Sequence, residues 1–378
     1  MTVQKQKQKQ KKTRRSVQVS KMKTVGYYGI CTESLSSGVQ KKIGNFVSAA
    51  NLLGYSAVQK LIPGGGSSHL QLAKAVAFAN EDIVVVRGNS YGFFLLMSGL
   101  IIARLRGKKV ILDVATPMAT VFHEIRASSN GVFNSFMKTV GWMLSGPWSF
   151  WAANRIVQYA PESSWFSFGS RKKTILIGNA VTVNSIPARK NSPKWPAKEL
   201  KLIGVAQLAS WHGYDLVIKA MSEFRKTKDK KYDIKFTVIG VGQELSHLKT
   251  LVKTLLLEDC VKFTGSLQGD ELYKEYDDAH LAISSLGLHR IGLNYSSVLK
   301  AREYCAIGIP FLASGKDPDF CPEIAFRYEI NSRENVGPIV EFFTYLQCVS
   351  QFPNPETIRK YAEEKLDFGK KVKLILEL

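Results

Sequence analysis

A strand–helix rhythm that runs, stops at a proline-rich break and starts again is the strongest constraint this chain places on its own fold. Short apolar runs at Thr24–Ile30, Asp82–Val86, Lys109–Val114, Arg155–Tyr159 and Thr174–Ile177 read as strands separated by helical or loop segments. After the first of them, Val39–Leu53 places Ile43, Phe46, Val47 and Ala50 on one helical face. The segment 187–196, rich in proline and charge, reads as a linker. The rhythm resumes with strands expected at Leu200–Ala206, Ile234–Ile239, Val261–Thr264, Leu281–Ser284 and Pro310–Ala313, and helices at Tyr214–Phe224, Glu244–Leu257 and Ser297–Ala306. Such alternation predicts parallel sheets covered on both faces, here in two α/β lobes. Small ligands favour the cleft between lobes and the carboxyl ends of parallel strands. The expected division is a disordered basic tail at 1–23, a first lobe at 24–186, a linker at 187–198, a second lobe at 199–354 and a final helical segment at 355–378.

Charge divides the same way. Residues 1–23 hold nine Lys/Arg and no acid, residues 24–190 hold 17 basic against 6 acidic, and residues 191–378 are nearly balanced, within a net charge of +21. A basic first half suggests a polyanion as partner, either nucleic acid or an acidic membrane surface. The longest apolar run, Tyr91–Ala103, has 13 residues, short of the roughly 18–20 that a span needs, and reads as a buried helix. The amino terminus is polar for more than twenty residues, so no secretory signal is expected there. Five scattered cysteines without a CxxC pair suggest neither a disulfide framework nor a zinc site, and point to a reducing cytoplasm.

Two segments carry candidate chemistry. Phe236–Leu245 runs strand, glycine turn, helix, and Gly240 and Gly242 would let a ligand approach the helix start, where free N–H groups favour anions. In Leu293–Leu312, Ser296 and Ser297 read as N-cap residues, Gly308 and Pro310 end the helix, and Lys300 and Glu303 share a face. A helix start with two hydroxyls and a lysine suits a diphosphate, and a glutamate one turn on suits ribose hydroxyls. Each segment also fits an ordinary structural role: a tight turn and a surface Lys–Glu pair.

Four stretches of the second lobe resemble, in order, the donor lobe of GT-B glycosyltransferases, specifically the retaining family 4 (group 1): Gly204–Ala220 with its His-Gly-Tyr-Asp, Phe236–Leu245, Val261–Leu267 and Lys300–Pro310. The first lobe resembles that family through Ser37–Ile43 and through Ile177-Gly-Asn-Ala-Val181. The stretch Leu366–Lys371 is similar to the start of a carboxyl-terminal helix that crosses back to the first lobe. The resemblance implies two Rossmann-like lobes with a cleft. It also implies a sugar moved with retention from a nucleotide donor, UDP-linked in preference to GDP-linked, to a glycan hydroxyl, in polysaccharide or glycoconjugate assembly. No metal or other cofactor is implied. Donor contacts would come from Gln207, Gly240, Gly242, Ser266, Leu267, Ser296, Ser297, Lys300 and Glu303. The family's usual arginine and lysine on the diphosphate are replaced here by Gln207 and His212, and the first of its two glutamates by Tyr295. Arg290, Lys300 and Arg302 could restore the charge, and His212 could be cationic beside a diphosphate. Lys300, Glu303, Arg290 and His212 are thus the catalytic candidates.

On the first lobe Gly38, Lys41, Asp113, Thr116 and His123 are the acceptor-site candidates. Phe133, Phe136, Met137, Val140, Met143 and Leu144 form a helical stripe ahead of Trp148 and Trp151. Such a stripe suits a core helix, or an interfacial one serving a lipid-linked acceptor on the inner face of the cell membrane. Two other classes compete: a nucleotide-sugar epimerase of the same architecture, and a basic nucleic-acid-binding or membrane-binding protein. No helix-turn-helix, RNP or zinc-finger pattern supports nucleic-acid binding.

Overall fold

The computed structural model describes residues 22–31, 36–88, 93–114, 147–331 and 333–377, with isolated positions between 117 and 143. Two six-stranded sheets follow one another, and every strand pair in both is parallel. The first has the order β2-β1-β3-β4-β5-β6, from β1 (Thr24–Cys31), β2 (Ser56–Pro63), β3 (Ile83–Gly88), β4 (Lys109–Val114), β5 (Arg155–Gln158) and β6 (Thr174–Leu176). The second has the order β12-β11-β10-β7-β8-β9, from β7 (Glu199–Val205), β8 (Asp233–Ile239), β9 (Val261–Gly265), β10 (Leu281–Ile283), β11 (Phe311–Ala313) and β12 (Arg327–Glu329). This is the GT-B arrangement that the resemblance implied.

Both faces of each sheet are buried, as parallel sheets require. Tyr27 and Tyr28, successive on β1, enter different cores because strand side chains alternate. Tyr27 packs with Ile43 and Phe46 of α1 (Ser36–Leu52), and Tyr28 lies in the core with Leu72 and Val76 of α2 (Ser68–Ala77) and Leu96 and Leu100 of α3 (Phe93–Leu105). On the second sheet α4 (Tyr214–Arg225), α5 (Leu245–Thr254) and later α8 (Gly337–Leu346) cover one face; α6 (Gly269–Asp277), α7 (Leu299–Ile307) and α9 (Pro355–Tyr361) cover the other. The last helix, α10 (Phe368–Glu377), leaves the second lobe and buries Val372, Ile375 and Leu376 in the first-lobe core beside Ile43 and Phe46.

Apolar patterning misplaced one surface. The run expected to be a buried helix forms α3, of which Leu96, Leu100 and Ala103 are buried while Leu95, Ile101, Ile102 and Leu105 are exposed. Among the described positions of the aromatic stripe, Phe136 and Met143 are exposed, as are Trp148 and Trp151; Phe133, Met137 and Leu144 lie outside the described residues, as does the basic tail through residue 21. Among the described residues no helix is long and apolar enough to cross a membrane.

The lobes meet at a polar junction. Arg302 of α7 is fully buried and pairs with both Asp317 and Asp319. Asp319 also accepts from the Gly178 N–H at 3.0 Å and from the Lys371 ammonium of α10. The Arg302 Nε donates to the Asn179 carbonyl at 3.1 Å. At Gly178 a Cβ would overlap the Asp319 carboxylate and the Arg302 guanidinium. Glycine is therefore required for close approach. Gly178→Ala should cost at least about 2 kcal/mol in urea unfolding, since overpacking here displaces buried charges. Gly65→Ala, with open space around it, should stay within about 0.5 kcal/mol of wild type. Wild-type stability in Gly178→Ala would mean that the loop yields freely.

Candidate functional site

In the second sheet β7 and β10 are neighbours whose following chains leave in opposite directions, and the crevice at their carboxyl ends is where open parallel sheets bind ligands. Four loops close around it. The Leu208 N–H donates to the Val241 carbonyl and the Gly240 N–H to that of Gly265, both at 2.8 Å, while Leu286 N–H donates to the His212 carbonyl at 3.0 Å. A Cβ on Gly240 would overlap the Ala206 carbonyl, and one on Gly242 the Leu208 carbonyl. These glycines thus make room for the protein's own β7 loop.

His212 is 9% exposed in this crevice. Its Nε2 lies 3.0 Å from the Gln207 carbonyl, which can only accept, so Nε2 carries the proton and Nδ1 is left as an acceptor. Nδ1 faces the Lys300 ammonium at 2.9 Å and the Ser285 hydroxyl at 3.3 Å. Lys300 also donates to the Tyr214 hydroxyl at 3.4 Å and lies 5.3 Å from that ring's centre. Burial, with the Lys300 charge, pulls the His212 pKa down to about 4. His212 is therefore neutral beside Lys300. Burial also lowers Lys300 to about 7, against the opposing pull of the Glu303 carboxylate. Glu303 is exposed on α7, one turn after Lys300; the Gln207 side chain and Ser266 are exposed at neighbouring loop ends, and Leu267 is half-buried.

Several expected roles fall to other tasks. Helix α7 begins after Val298, without a side-chain cap. Ser297 does not cap it: its hydroxyl accepts from the Asn179 N–H at 2.5 Å and its carbonyl from the Asn179 amide at 2.7 Å. Ser296 bonds through its N–H to the Lys316 carbonyl at 3.0 Å. Arg290 is not a spare cation, because it grips Asp215 in a two-pronged pair at 2.8 Å and also Glu334. Those carboxylates push its pKa further up and hold Glu334 down near 2. Arg302 is spent on the lobe junction.

In the first lobe Asp113 is 3% exposed, accepts from the Tyr27 hydroxyl and lies 3.6 Å from Arg87. Lys42, with its pKa lowered to about 8 by burial, sits 3.6 Å over the Tyr159 ring in the same cluster. The adjoining cavity of about 20 Å³ holds roughly one water, so the packing around Asp113 as it stands leaves little room for a larger group. Gly38 and Lys41 fall on α1, their side-chain surroundings outside the described residues, and Thr116 and His123 lie outside them altogether. Sequence reasoning missed Tyr214, Ser285 and Asn179. A signal for the first was its place in the His-Gly-Tyr-Asp motif; Ser285 and Asn179 act through partners 73 and 118 residues away.

Residues 185–325 match the family described as glycosyl transferases group 1. Over 223 residues the chain is 26% identical to WcaL of Escherichia coli (strain K12), named as a colanic acid biosynthesis glycosyltransferase, covering 57% of this chain and 51% of that one. Over 115 residues it is 28% identical to the amylovoran biosynthesis glycosyltransferase AmsK of Erwinia amylovora, covering 30% and 28%. The chain thus spans about half the length of the first relative and about a quarter of the second. Among solved structures, the lipopolysaccharide outer core galactosyltransferase WaaB in apo form aligns at TM-score 0.63 and 10% identity over 93% of this chain and 99% of its own. A glycosyltransferase from Rickettsia africae aligns at TM-score 0.61 and 14% identity over 94% and 99%. At these identities the structural likeness speaks for the fold. Residues 185–325, most of the second lobe, are thus similar to the group 1 glycosyl transferases, and the chain as a whole has a GT-B fold.

Proposed function

We propose that this chain is a retaining glycosyltransferase that moves a sugar from a nucleotide donor, UDP-linked in preference to GDP-linked, to a hydroxyl of a glycan acceptor in polysaccharide assembly. The observation that carries this reading is the meeting of Lys300, His212 and Glu303 at the carboxyl ends of β7 and β10. As the glycosidic bond breaks, negative charge grows on the departing diphosphate, and a partly buried ammonium aimed into the crevice stabilises it more strongly than water does. Glu303, exposed one helical turn away, is suited to accept from the ribose hydroxyls. The acceptor would enter from the first lobe, and the phosphate leaving group can take its proton on the same face, giving retention.

Glu303→Ala should weaken UDP or GDP binding by roughly 1.5–3 kcal/mol, the range for hydrogen bonds to a charged group, with an unchanged circular dichroism spectrum. Lys300→Ala should slow nucleotide release from the donor sugar more than it weakens nucleotide binding, because the charge it meets is largest in the transition state. Parent-like binding and rates in both variants would move the site elsewhere.

A lipid-linked acceptor, reached by docking on an anionic bilayer at the cytoplasmic face, is the second part of the proposal. It is supported by the outer surface of the first lobe. Leu95, Ile102 and Leu105 of α3 are exposed there, Arg106 lies over the exposed Phe78 ring, and Arg104 donates to the Trp151 carbonyl. Trp151 in turn stands edge-on to Trp148 and donates to the Phe168 carbonyl. Lys74 of α2 and Arg171 and Lys172 of the short turn after Phe168 are exposed as well. Apolar groups rimmed by cations fit an anionic headgroup region, at roughly 1 kcal/mol per basic residue near the surface. The protein should sediment with anionic vesicles and not neutral ones. Leu105→Ser with Trp148→Ala should release it at moderate salt, and failure of the parent to sediment would point to a soluble acceptor.

A further inference from the structure

We propose that His212 is a positioning residue, a neutral hydrogen-bond acceptor that aims Lys300 at the donor diphosphate, and that binding of the diphosphate to this pair takes up one proton. The inference rests on the donor-site reading above and adds to it how the missing cation is replaced. Where the resembling family places a lysine, this chain has an imidazole whose tautomer is set by the Gln207 carbonyl. A ring whose Nε2–H is engaged can offer Lys300 only the lone pair of Nδ1, 2.9 Å from the ammonium. Two positive charges at that separation in a buried crevice repel strongly, so the pair holds at most one.

The sign of the linkage follows from the groups that face Lys300. From the 210–212 turn comes His212, neutral throughout the range that matters, with its pKa near 4. From α4 comes Tyr214, whose hydroxyl is pushed far up by burial and stays protonated. From the loop after β10 comes only the Ser285 hydroxyl, and α7 itself adds the Glu303 carboxylate. Lys300, lowered by burial to about 7, is therefore the group that titrates between pH 7 and 9. A diphosphate alongside raises its proton affinity, so the bound state keeps a proton that the free state has shed. Nucleotide affinity must then fall as pH rises through and above about 7, and level off below it.

The test is calorimetric titration of the full chain with UDP and with GDP from pH 7 to 9, above the second ionisation of the terminal phosphate near 6. Each titration is done in two buffers of different ionisation enthalpy. The expected result is uptake approaching one proton at the alkaline end, and binding weaker on the order of tenfold at pH 8.5 than at pH 7. His212→Gln, which retains a neutral side-chain acceptor, should keep both the uptake and most of the affinity, whereas His212→Ala should bind about five- to tenfold more weakly. Binding without proton uptake, or His212→Gln behaving like His212→Ala, overturns the inference and leaves the donor site standing. Absence of binding by either nucleotide at pH 7 overturns the donor-site reading and this inference with it, and is visible before any pH series is run.

Discussion

A guanidinium with no solvent exposure has to be neutralised where it lies, and in this protein Arg302 is neutralised by two aspartates of its own lobe, one of which, Asp319, is shared with the other lobe. Removing one partner from such a buried cluster leaves a charge that costs about 3–5 kcal/mol, so its members are held together. Asp319 collects Arg302 from α7, Lys371 from the returning helix α10 and the Gly178 N–H from the chain just before the linker. Three segments far apart in sequence are pinned at one carboxylate. Arg302 lies between Lys300 and Glu303 on a nine-residue helix. The element that presents the candidate donor groups on one side is thus the element that ties the lobes together on another.

This shared helix explains how polar groups are divided between structure and chemistry. Ser297, Arg290 and Asp215 resemble ligand contacts in one dimension, yet each is saturated by protein partners. The Asp113, Arg87, Tyr27 and Lys42 cluster of the first lobe is not saturated in this way, because one Asp113 oxygen and one Arg87 nitrogen are buried there without a hydrogen-bond partner among the described residues, beside a cavity fit for a single water. Lys300 differs because its hydrogen-bond partners are an imidazole nitrogen and a phenol, neither of which neutralises it. A half-buried ammonium held by neutral acceptors is the arrangement on which the proposed donor site rests. The second lobe matches the group 1 glycosyl transferases over residues 185–325, and this crevice is where the proposed chemistry has physical support.

Local pattern was enough wherever a local cause acted. The strand from Lys109 to Val114 is legible because it is almost continuously buried, and that from Asp233 to Ile239 because buried Ile234, Phe236 and Val238 alternate with less buried polar residues. The end of α7 was legible because Gly308 takes a left-handed conformation that glycine favours. Two edge strands were not: β2, Ser56–Pro63, mixes exposed Val58 with polar residues, and β12 is three residues long, whereas the edge strands β6 and β9 were legible. Within the site, the Lys300–Glu303 face was readable from spacing. The fate of Arg290 was not, since its carboxylate partners lie 75 and 44 residues away and leave no local trace. The neutrality of His212 was hidden for the same reason: the lysine that suppresses its charge is 88 residues downstream. Helix α3 shows the converse limit, where a run of apolar residues was taken as buried although half its circumference faces outward.

The central claim is that the carboxyl-terminal edge of the second sheet, at Lys300 and Glu303, receives the nucleotide of the donor. A crystal structure of the chain soaked with UDP or GDP tests it most directly. The account predicts a phosphate oxygen within about 2.7–3.2 Å of the Lys300 ammonium and ribose hydroxyls on the Glu303 carboxylate, with Arg290 still bound to Asp215. A nucleotide seated in the first lobe, or one that draws Arg290 away from Asp215 while leaving Lys300 on His212, would contradict it.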